Sequence, residues 1–476
     1  MMIFNINPVS AALFQIYILQ LDEYDIFRYL KKISKVKRGK KQIKPFVWTS
    51  KAKAIFALSF LQILIVSVVI SNLNLAFLII LILLGFEIFF IPLVISVILL
   101  YPLDYSIKHY LVSKATSKIR NLKNLKIIAI AGSYGKTTFK EILYSVLSEK
   151  YNVLKTPENV NTPVAISRLI LSKLKEEHEI FIVELGEYYK GDIKKLCEIT
   201  PPDISVVTGI NEAHFERLKS IDTTVSTIFE VVTYSKENAV LVLNLADDLV
   251  RKNYKKYVKN KKIITFGDDK KSGLFAFDIK FNENDLTLGF KLNEGNSLID
   301  SFNIPILAKY SLDDIIGSVQ IAKILDTPLP FIKRGINKIK PIPHRLEPNF
   351  DKSKNIIFID DTYNANPKGI KSAIEILSEF KNRRKIYITP GMVETGKANR
   401  QIHLDIAEYL SKVADIVILI DTSSSCFIKE GLKDNSFPDD KIKIYNHQQD
   451  VYDDLNSWTK AGDVVLFQNI WPENYV

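Results

Sequence analysis

Two long apolar runs near the N-terminus are the first feature of the hydrophobic pattern. Residues 54–70 are almost continuously apolar, and after a short polar break a second run covers residues 75–101, with Glu87 as its one acidic residue. A helix needs ~20 apolar residues to cross the hydrocarbon core of a bilayer. The pattern therefore predicts a transmembrane helical hairpin over residues 54–101. A buried helical hairpin in a soluble protein is the alternative interpretation.

From residue 126 onward the pattern changes to short apolar runs that alternate with amphipathic stretches. This alternation predicts a doubly wound α/β sheet, with a more β-rich extension over residues 273–308. A proline-containing connector at residues 340–343 precedes a second block of the same kind. Strands are predicted at 126–131, 179–185, 203–208, 239–243 and 262–266 in the first block, and near 355–360, 384–389, 415–420 and 463–467 in the second.

The charge distribution supports the membrane interpretation and argues against a nucleic-acid-binding protein. The 476-residue chain has a formal net charge of +11, but residues 1–126 contain 17 Lys or Arg against 5 Asp or Glu, and the rest is nearly neutral. Basic residues flank the outer side of each apolar run, which predicts that both ends of the hairpin are cytoplasmic. We therefore expect a multi-pass plasma-membrane protein with its α/β domains in the cytoplasm. The two cysteines, Cys197 and Cys426, are too few for a disulfide framework.

A glycine-rich loop carries the strongest chemical signal. It follows the apolar run 126–130 and precedes a helical pattern, and it consists of Gly132, Ser133, Tyr134, Gly135, Lys136, Thr137 and Thr138. A strand, a glycine loop and a helix in this order form a phosphate cradle, because backbone N–H groups and the helix N-terminus point at phosphate oxygens. Lys136 would neutralise the β- and γ-phosphates, and Thr137 would bind Mg²⁺. The loop therefore predicts a nucleotide-binding site.

The predicted fold class is α/β. It comprises a P-loop-type doubly wound central domain and a second, Rossmann-like C-terminal domain, preceded by an α-helical transmembrane hairpin. The predicted domains are a cytoplasmic amphipathic and basic segment (1–53), the hairpin (54–101), a basic linker (102–125), the central domain (126–340) and the C-terminal domain (341–476).

Polar residues at other predicted strand ends are candidate ligands of a metal or a nucleotide. Glu184 is placed to hold Mg²⁺, or else is a capping or solvated glutamate. His214 follows the next strand and is either a second metal ligand or a structural histidine. Asn244 closes a further strand, where it would contact a base or ribose or form an ordinary turn. In the second block, Arg345 would contact phosphate and Asp361 ribose or metal, if that domain closes over the nucleotide.

Taken in order, these segments resemble the Mur ligase family, the ATP-dependent amide ligases of peptidoglycan precursor synthesis. The matching segments span roughly residues 126–476 and include TPENVNTP at 156–163, Glu184–Gly186, Ala213–Glu216, Asn244–Asp248, DDTYNANP at 360–367, GMVETG at 391–396 and GDVVL at 462–466. The resemblance implies that ATP phosphorylates a substrate carboxylate and that an amine attacks the acyl phosphate to form an amide.

The resemblance also implies roles for individual residues. It assigns catalysis to Lys136, His214 and Arg345, metal binding to Thr137, Glu184 and His214, nucleotide binding to the glycine loop with Asn244, Arg345 and Asp361, and substrate binding to Asn161, Thr162, Asn364 and Asn366. The implied cofactors are ATP and Mg²⁺. The implied partners are a small-molecule or lipid-linked envelope precursor, and an amino acid or dipeptide that donates the amine.

Three departures from the family's pattern bear on function. The family usually carries a carbamylated lysine where this chain has Ile228, so the second metal site is expected to be weak unless Glu230 or another acid replaces it. The family's G-x-H-N and a further Asn correspond here to Ala308–Ser311 and Asp314, so some adenine-side contacts are expected to differ. The hairpin occupies the place of the family's uridine-nucleotide-binding domain, which gives weight to a lipid-linked or polymeric acceptor.

The leading prediction is thus a membrane-anchored, Mg·ATP-dependent amide ligase that acts on a cell-envelope precursor. One alternative is a ligase that amidates or extends a lipid-linked or polyglutamate substrate. Another is a catalytically weak ATP-binding scaffold, which the departures at Ile228 and Tyr310 favour.

Overall fold

The computed structural model describes residues 8–22, 24–33, 46–71, 89–158, 160–211, 218, 220–267, 273–363, 366–392 and 398–469. The chain divides into two compact units, residues 1–111 and residues 112–475.

The described part of the N-terminal unit is helical. Its helices are Pro8–Leu21, Ile26–Ile33, Ser50–Ser71 and the first part of Phe90–Asn121. By length and composition alone, the last two are long and apolar enough to cross a membrane. They share a buried hydrogen bond between Ser59 Oγ and Ser96 Oγ, at 2.9 Å. Many of their other apolar side chains are exposed, among them Leu64, Val68, Val69, Ile98 and Leu99.

The first of these helices covers the predicted run 54–70, and the second overlaps the predicted run 75–101 over residues 90–101. Residues 72–88, which include the predicted connection and Glu87, lie outside the described residues. The helix Phe90–Asn121 has Pro92 in its first turn, where proline is tolerated. The segment predicted as a basic linker is helical as far as Asn121.

The second unit begins with a six-stranded parallel sheet. Its strands are β1 (Lys126–Ala131), β2 (Val153–Lys155), β3 (Ile180–Glu184), β4 (Ile204–Val207), β5 (Val240–Asn244) and β6 (Ile263–Phe266), in the order β2–β3–β1–β4–β5–β6. The connecting helices are Lys136–Leu147, Pro163–Lys173, Asp192–Ile199, Ile221–Ile228, Glu230–Thr233 and Asp248–Tyr257. All five predicted strands are present, and β2 is an additional short one. Because β1 lies between β3 and β4, the segments that follow these three strands meet at one edge of the sheet.

A three-stranded antiparallel sheet forms the region predicted as a β-rich extension. Its strands are β7 (Leu274–Asn282), β8 (Thr287–Glu294) and β9 (Ser297–Ile304). Leu288, Leu292 and Ile304 from this sheet are buried in the same core cluster as the apolar face of the helix Lys136–Leu147. Helices Ser311–Ile324 and Leu329–Asn337 follow.

The C-terminal part of the second unit is a second six-stranded sheet. Its strands are β10 (Glu347–Asp351), β11 (Ile356–Asp361), β12 (Arg384–Thr389), β13 (Ile416–Ile420), β14 (Ile442–Tyr445) and β15 (Asp463–Gln468), in the order β10–β11–β15–β12–β13–β14. β10 pairs antiparallel with β11, and the other pairs are parallel. The helices are Pro367–Glu379, Asn399–Val413, Ser425–Asp434, Gln448–Asp453 and Leu455–Trp458, with a short 3₁₀ turn at Asp439–Lys441. The four predicted strands are present, and β10 and β14 are additional.

Candidate active site

The glycine loop between β1 and the helix Lys136–Leu147 is held against the end of β4. Ser133 N donates a hydrogen bond to Gly209 O at 2.7 Å, and Thr208 Oγ1 donates to Tyr134 O at 2.5 Å. These bonds fix the path of the loop before any ligand is bound.

Two glycines of the loop are required by its geometry. Gly132 has a φ of 150°, and a Cβ at this position would overlap Thr208 Oγ1. Gly135 has a φ of 80° and is the N-cap residue of the helix that follows. Because L-residues rarely adopt such positive φ values, glycine is the natural residue at both positions. The loop thus ends at a helix N-terminus whose N–H groups suit an anion.

The end of β3 brings the carboxylate of Glu184 to the hydroxyl of Thr137. Thr137 Oγ1 and Lys140 Nζ donate to the same oxygen, Glu184 Oε2, at 3.1 and 2.8 Å. Burial alone would raise the pKa of Glu184, but Lys140 and Lys136 outweigh this effect and hold the pKa below its ordinary value. An ionised carboxylate beside a hydroxyl offers the oxygen ligands that Mg²⁺ prefers, so Thr137 and Glu184 fit a Mg²⁺ site.

Lys136 is paired with a second buried carboxylate. Its Nζ lies 3.0 and 2.9 Å from the two carboxylate oxygens of Glu187, and it also donates to Gly132 O. Neither Glu187 nor the buried Lys140 belongs to the predicted set. The available signals were the position of Glu187 three residues after Glu184, and that of Lys140 one helical turn after Lys136.

The end of β5 supplies another wall of the site. Asn244 Oδ1 accepts a hydrogen bond from the backbone two residues on, at 3.0 Å, as in an ordinary turn. Asp247 caps the next helix and accepts a 2.6 Å hydrogen bond from Tyr134 OH. Burial, together with the charge of Asp247, raises the pKa of Tyr134. Lys368 from the C-terminal sheet domain lies 3.5 Å from the same aspartate.

Arg345 enters the site from the C-terminal sheet domain. Its guanidinium lies over the ring of Tyr363, 4.4 Å from the ring centroid, and donates to Tyr363 O at 3.4 Å. The neighbouring His344 Nδ1 lies 2.8 Å from Asp360 Oδ2 at the end of β11. The segment that carries Arg345 is therefore attached to the end of that strand.

Two predicted residues of this domain make structural contacts that the sequence did not indicate. Asp361 accepts hydrogen bonds from Leu346 N at 3.1 Å and from Gln468 Nε2 at 2.6 Å. Burial raises the pKa of Asp361 to about 6, although Gln468 and Arg345 act in the opposite direction. Asn366 caps the helix that follows it, because its Oδ1 accepts from Gly369 N at 3.0 Å.

Side chains from both α/β domains line one cleft of about 920 Å³. The predicted residues that line it are Ser133, Tyr134, Gly135, Lys136, Thr137, Thr138, Asn161, Glu184, Asn244, Arg345 and Asn366. Gly132, Thr162 and Asp361 are not among the lining residues. His214 and Asn364 lie outside the described residues.

The position at which the family usually carries a carbamylated lysine lies in the apolar core of this chain. Ile228 is fully buried in the apolar core. Glu230 accepts hydrogen bonds from Gly191 N and Lys194 N, at 3.0 and 2.9 Å, and so caps the N-terminus of the helix Asp192–Ile199. Burial raises the pKa of Glu230 in spite of these two bonds. Since both its oxygens are used in this cap and it does not line the cleft, Glu230 does not take the place of the lysine.

Comparison with known proteins identifies relatives of both α/β domains. The Mur ligase middle domain matches residues 130–322, and the Mur ligase glutamate ligase domain matches residues 344–468. A UDP-N-acetylmuramoyl-tripeptide–D-alanyl-D-alanine ligase of Buchnera aphidicola subsp. Baizongia pistaciae is 31% identical over 291 residues, which are 61% of this chain and 62% of the relative. The Bacillus subtilis ligase of the same name is 25% identical over 344 residues, 72% of each chain.

Among solved structures, the MurF ligase from Thermotoga maritima in complex with ADP has a TM-score of 0.67 and 27% sequence identity, and the match covers 77% of this chain and 81% of that chain. The chain spans 62% of the length of the two Buchnera relatives. These likenesses confirm the predicted resemblance, which within the family points to the UDP-N-acetylmuramoyl-tripeptide–D-alanyl-D-alanine ligases. With two Mur ligase domains in the expected order, the chain belongs to the Mur ligase family.

Proposed function

We propose that this chain is an ATP-dependent ligase that forms an amide bond on a peptidoglycan precursor. The observation that carries the proposal is the convergence on one cleft of the glycine loop, the Thr137–Glu184 pair and Arg345 from the second domain. The names of the relatives supply the candidate substrates, a UDP-N-acetylmuramoyl-tripeptide and D-alanyl-D-alanine. The ADP complex of the Thermotoga ligase supports a nucleotide as the cleft's ligand.

In this proposal the chain's own residues hold and activate the reactants. The N–H groups of the glycine loop bind the nucleotide phosphates, and Lys136 offsets negative charge on the transferred phosphoryl group. Arg345 reaches the same group from the other domain. Thr137 and Glu184 would hold Mg²⁺, which stabilises charge on the phosphoryl oxygens. A substrate carboxylate displaces ADP to form an acyl phosphate, and the amine then displaces phosphate to form the amide.

The remaining predicted roles stay part of the proposal. Asn161 and Glu184 both line the cleft. The backbone carbonyl of Asn161 accepts a hydrogen bond from Gly186 N at 2.9 Å, and a Cβ at Gly186 would crowd this carbonyl oxygen. We assign Asn161, Thr162, Asn364 and Asn366 to substrate binding, Asn244 and Asp361 to the nucleotide side and His214 to a second Mg²⁺.

The proposed reaction is tested with the purified full-length chain, ATP, the UDP-linked tripeptide and D-alanyl-D-alanine. We expect ADP and phosphate to be released only when both substrates are present, with a product of the corresponding mass in mass spectrometry. Lys136→Ala should lower turnover by about 100-fold or more. Unchanged turnover in this variant would rule the proposal out.

The same assay separates the alternatives. Higher turnover with a lipid-linked precursor or a polyglutamate than with the UDP-linked acceptor would favour the ligase that amidates or extends such a substrate. Binding of ATP without amine-dependent turnover on any acceptor would favour the scaffold.

We also propose that the N-terminal unit anchors the chain in the plasma membrane. The proposal is supported by the exposed apolar faces of the two long helices and by the exposed aromatic rings of Tyr101 and Tyr105 near a basic segment. In cell fractionation, the full-length chain should remain in the membrane pellet after a carbonate wash. Leu64→Lys with Val68→Lys should weaken this retention, because lysine is costly within the hydrocarbon core. Wild-type protein in the soluble fraction would contradict the proposal.

A further inference from the structure

One corner of the cleft is formed by residues that follow β12 and β15 in the C-terminal sheet domain. Met392 comes shortly after β12, Asn469 comes directly after β15, and both line the cleft. Ile402, from the helix Asn399–Val413, lines the cleft as well. Ligands of open parallel sheets bind outside the carboxyl ends of the strands. This corner is therefore the place where the C-terminal domain would hold a ligand of its own.

The backbone after β12 is fixed at this corner by three side chains. Gly391 N donates a hydrogen bond to Thr389 Oγ1 at 3.0 Å. Met392 N donates to His403 Nε2 at 2.8 Å, and Ser424 Oγ donates to Met392 O at 3.1 Å. Burial lowers the pKa of His403, so its Nε2 stays an acceptor at neutral pH. Met392 is thus held in place before any substrate binds.

The side-chain amide of Asn469 has an unused acceptor. Asn469 is 4% exposed, and its Nδ2 donates to Gly391 O at 2.7 Å, which sets the orientation of the amide. Within the described part of the chain, no hydrogen bond is donated to Asn469 Oδ1. Polar atoms of buried side chains are normally paired. The unused oxygen of a buried residue that lines the cleft therefore indicates a ligand that donates a hydrogen bond.

Of the three groups that react in the proposed ligase, only the amine carries such donors. Phosphate oxygens and an ionised carboxylate accept hydrogen bonds, whereas an amino group donates them. Asn469 N donates to Asp361 O at 3.0 Å, and the carboxylate of Asp361 accepts from Leu346 N, next to Arg345. The unused acceptor thus belongs to the same group of strand ends as the arginine proposed to contact the transferred phosphoryl group.

We propose that Asn469 Oδ1 accepts a hydrogen bond from the amino group of the incoming substrate, and that Met392 and Ile402 form the apolar wall beside it. The inference rests on the proposed ligase function and adds to it the site of the amine donor. The wall favours a donor with a small apolar side chain, such as D-alanyl-D-alanine, because a charged side chain would lose water there without gaining a partner. His403 acts through the backbone of Met392 and is a positioning residue.

The test is steady-state kinetics of the full-length chain with ATP, the UDP-linked tripeptide and D-alanyl-D-alanine. Asn469→Ala should raise the KM for D-alanyl-D-alanine by about tenfold and leave the KM for ATP unchanged. Asn435→Ala is the matched control, because Asn435 Nδ2 also donates to a backbone carbonyl at 2.7 Å, that of Gly431, and does not line the cleft. The control should match wild type.

Inhibition by propionyl-D-alanine separates the hydrogen bond from a loss of structure. In this analogue of D-alanyl-D-alanine a hydrogen atom replaces the amino group, so it has no donor to offer to Asn469 Oδ1. Asn469→Ala should therefore leave the inhibition constant of the analogue unchanged. A merely structural role of Asn469 would weaken the analogue and the amine donor alike.

Three results would overturn the inference while amine-dependent turnover by wild type still supports the proposed function. They are an unchanged KM for D-alanyl-D-alanine in Asn469→Ala, a rise in the KM for ATP instead, and equal weakening of the analogue. Wild type without amine-dependent turnover would overturn both proposals.

Thermal unfolding shows whether Asn469→Ala is folded. If it is not, Met392→Ala replaces it, because the hydrogen bonds of Met392 come from its backbone and remain in this variant. The KM for D-alanyl-D-alanine should then rise while the KM for ATP does not, and an unchanged KM for the amine donor would overturn the inference.

Discussion

Lys140 is a buried charge whose presence is explained by one contact. Its ammonium group donates to Glu184 at 2.8 Å from within the helix that follows the glycine loop. The same carboxylate oxygen accepts from Thr137, so Lys140 keeps Glu184 ionised and oriented toward the loop. The pair orients a proposed metal ligand, and such an ion pair need not add stability over an apolar pair of similar volume.

We expect Lys140→Met to lower the free energy of unfolding by about 3–5 kcal/mol, because Glu184 would remain buried without its counter-ion. Lys140→Met combined with Glu184→Met should recover most of this loss, since neither charge is then present. Urea unfolding of the two variants and wild type measures both values. A double variant as unstable as Lys140→Met alone would contradict this account.

Asp361 should give the protein a specific pH dependence. Burial raises its pKa in the folded protein to about 6, above that of the unfolded chain. Its contribution to stability is therefore complete below the unfolded pKa and is lost as the pH rises through about 6. Between about pH 4 and about pH 7, Asp361→Asn should gain about 3 kcal/mol relative to wild type. Urea unfolding at several pH values tests this, and a constant difference between the two proteins would contradict it.

At the residue scale, the sequence identified the groups that follow a strand or a glycine motif. Thr137 and Glu184 meet as expected, because neighbouring parallel strands end at one edge. Lys140 and Glu187 were not identified, because the burial of a charged side chain depends on partners distant in sequence. The local motif did not reveal that the side-chain amide oxygen of Asn366 caps a helix. Nor did it reveal that the carboxylate of Asp361 accepts a hydrogen bond from Gln468 in β15.

At the scale of elements, the position of the glycine loop depends on how the helix that follows it is packed. Helix Leu329–Asn337 crosses helix Lys136–Leu147 at Gly335, where the two backbones are close together. Ser145 Oγ donates to Gly335 O at 2.8 Å across this contact. A side chain at position 335 would force the helices apart.

Gly335→Ala should therefore lower the free energy of unfolding by about 1–3 kcal/mol. Its Cβ would lie 2.5 Å from Val146 Cα, which is a backbone atom that has little freedom to move. Gly369→Ala is the matched control, because its nearest neighbour would be 3.5 Å away. Helix propensity predicts that the control is neutral or stabilising by up to about 1 kcal/mol. Equal losses in the two variants, measured by denaturant unfolding, would refute the packing argument.

Long apolar elements were predictable, whereas three of the four edge strands of the two six-stranded sheets were not. The strands at the centre of both sheets are buried and β-branched, so their runs are distinct in the sequence. β2 has three half-buried residues, and β10 and β14 are partly exposed, so they lack a continuous apolar signal. They form because a neighbouring strand offers a free edge, which is a tertiary effect.

At the scale of the whole second unit, the two α/β domains are joined by contacts away from the glycine loop. The rings of Phe281 and Phe380 meet edge to face with centroids 5.0 Å apart. Glu283 and Arg383 follow these two phenylalanines along the chain, and they form an ion pair with an N–O distance of 3.1 Å. These contacts hold the two walls of the cleft together from the side of the β7–β8 hairpin.

We expect the two α/β domains of wild type to unfold in one calorimetric transition, because one core cluster contains buried apolar residues of both domains. Phe281→Ala with Arg383→Ala should weaken the domain contact by about 1–3 kcal/mol and separate the transition into two. Lys412→Ala is the control, since its ion pair with Glu408 lies within a single helix. A single, merely shifted transition in the double variant would show that these contacts do not couple the domains.

The burial of Ile228 limits what a single substitution could restore. A lysine introduced there would place an ammonium group among Phe229, Val225 and other apolar side chains of the core, where an unpaired charge is very costly. A lysine needs contact with carbon dioxide to form a carbamate, and it needs access to the cleft to bind a metal there. At position 228 both would require changes in the neighbouring side chains as well. Packing thus opposes a lysine at position 228, and accommodating one would demand further replacements in the surrounding core.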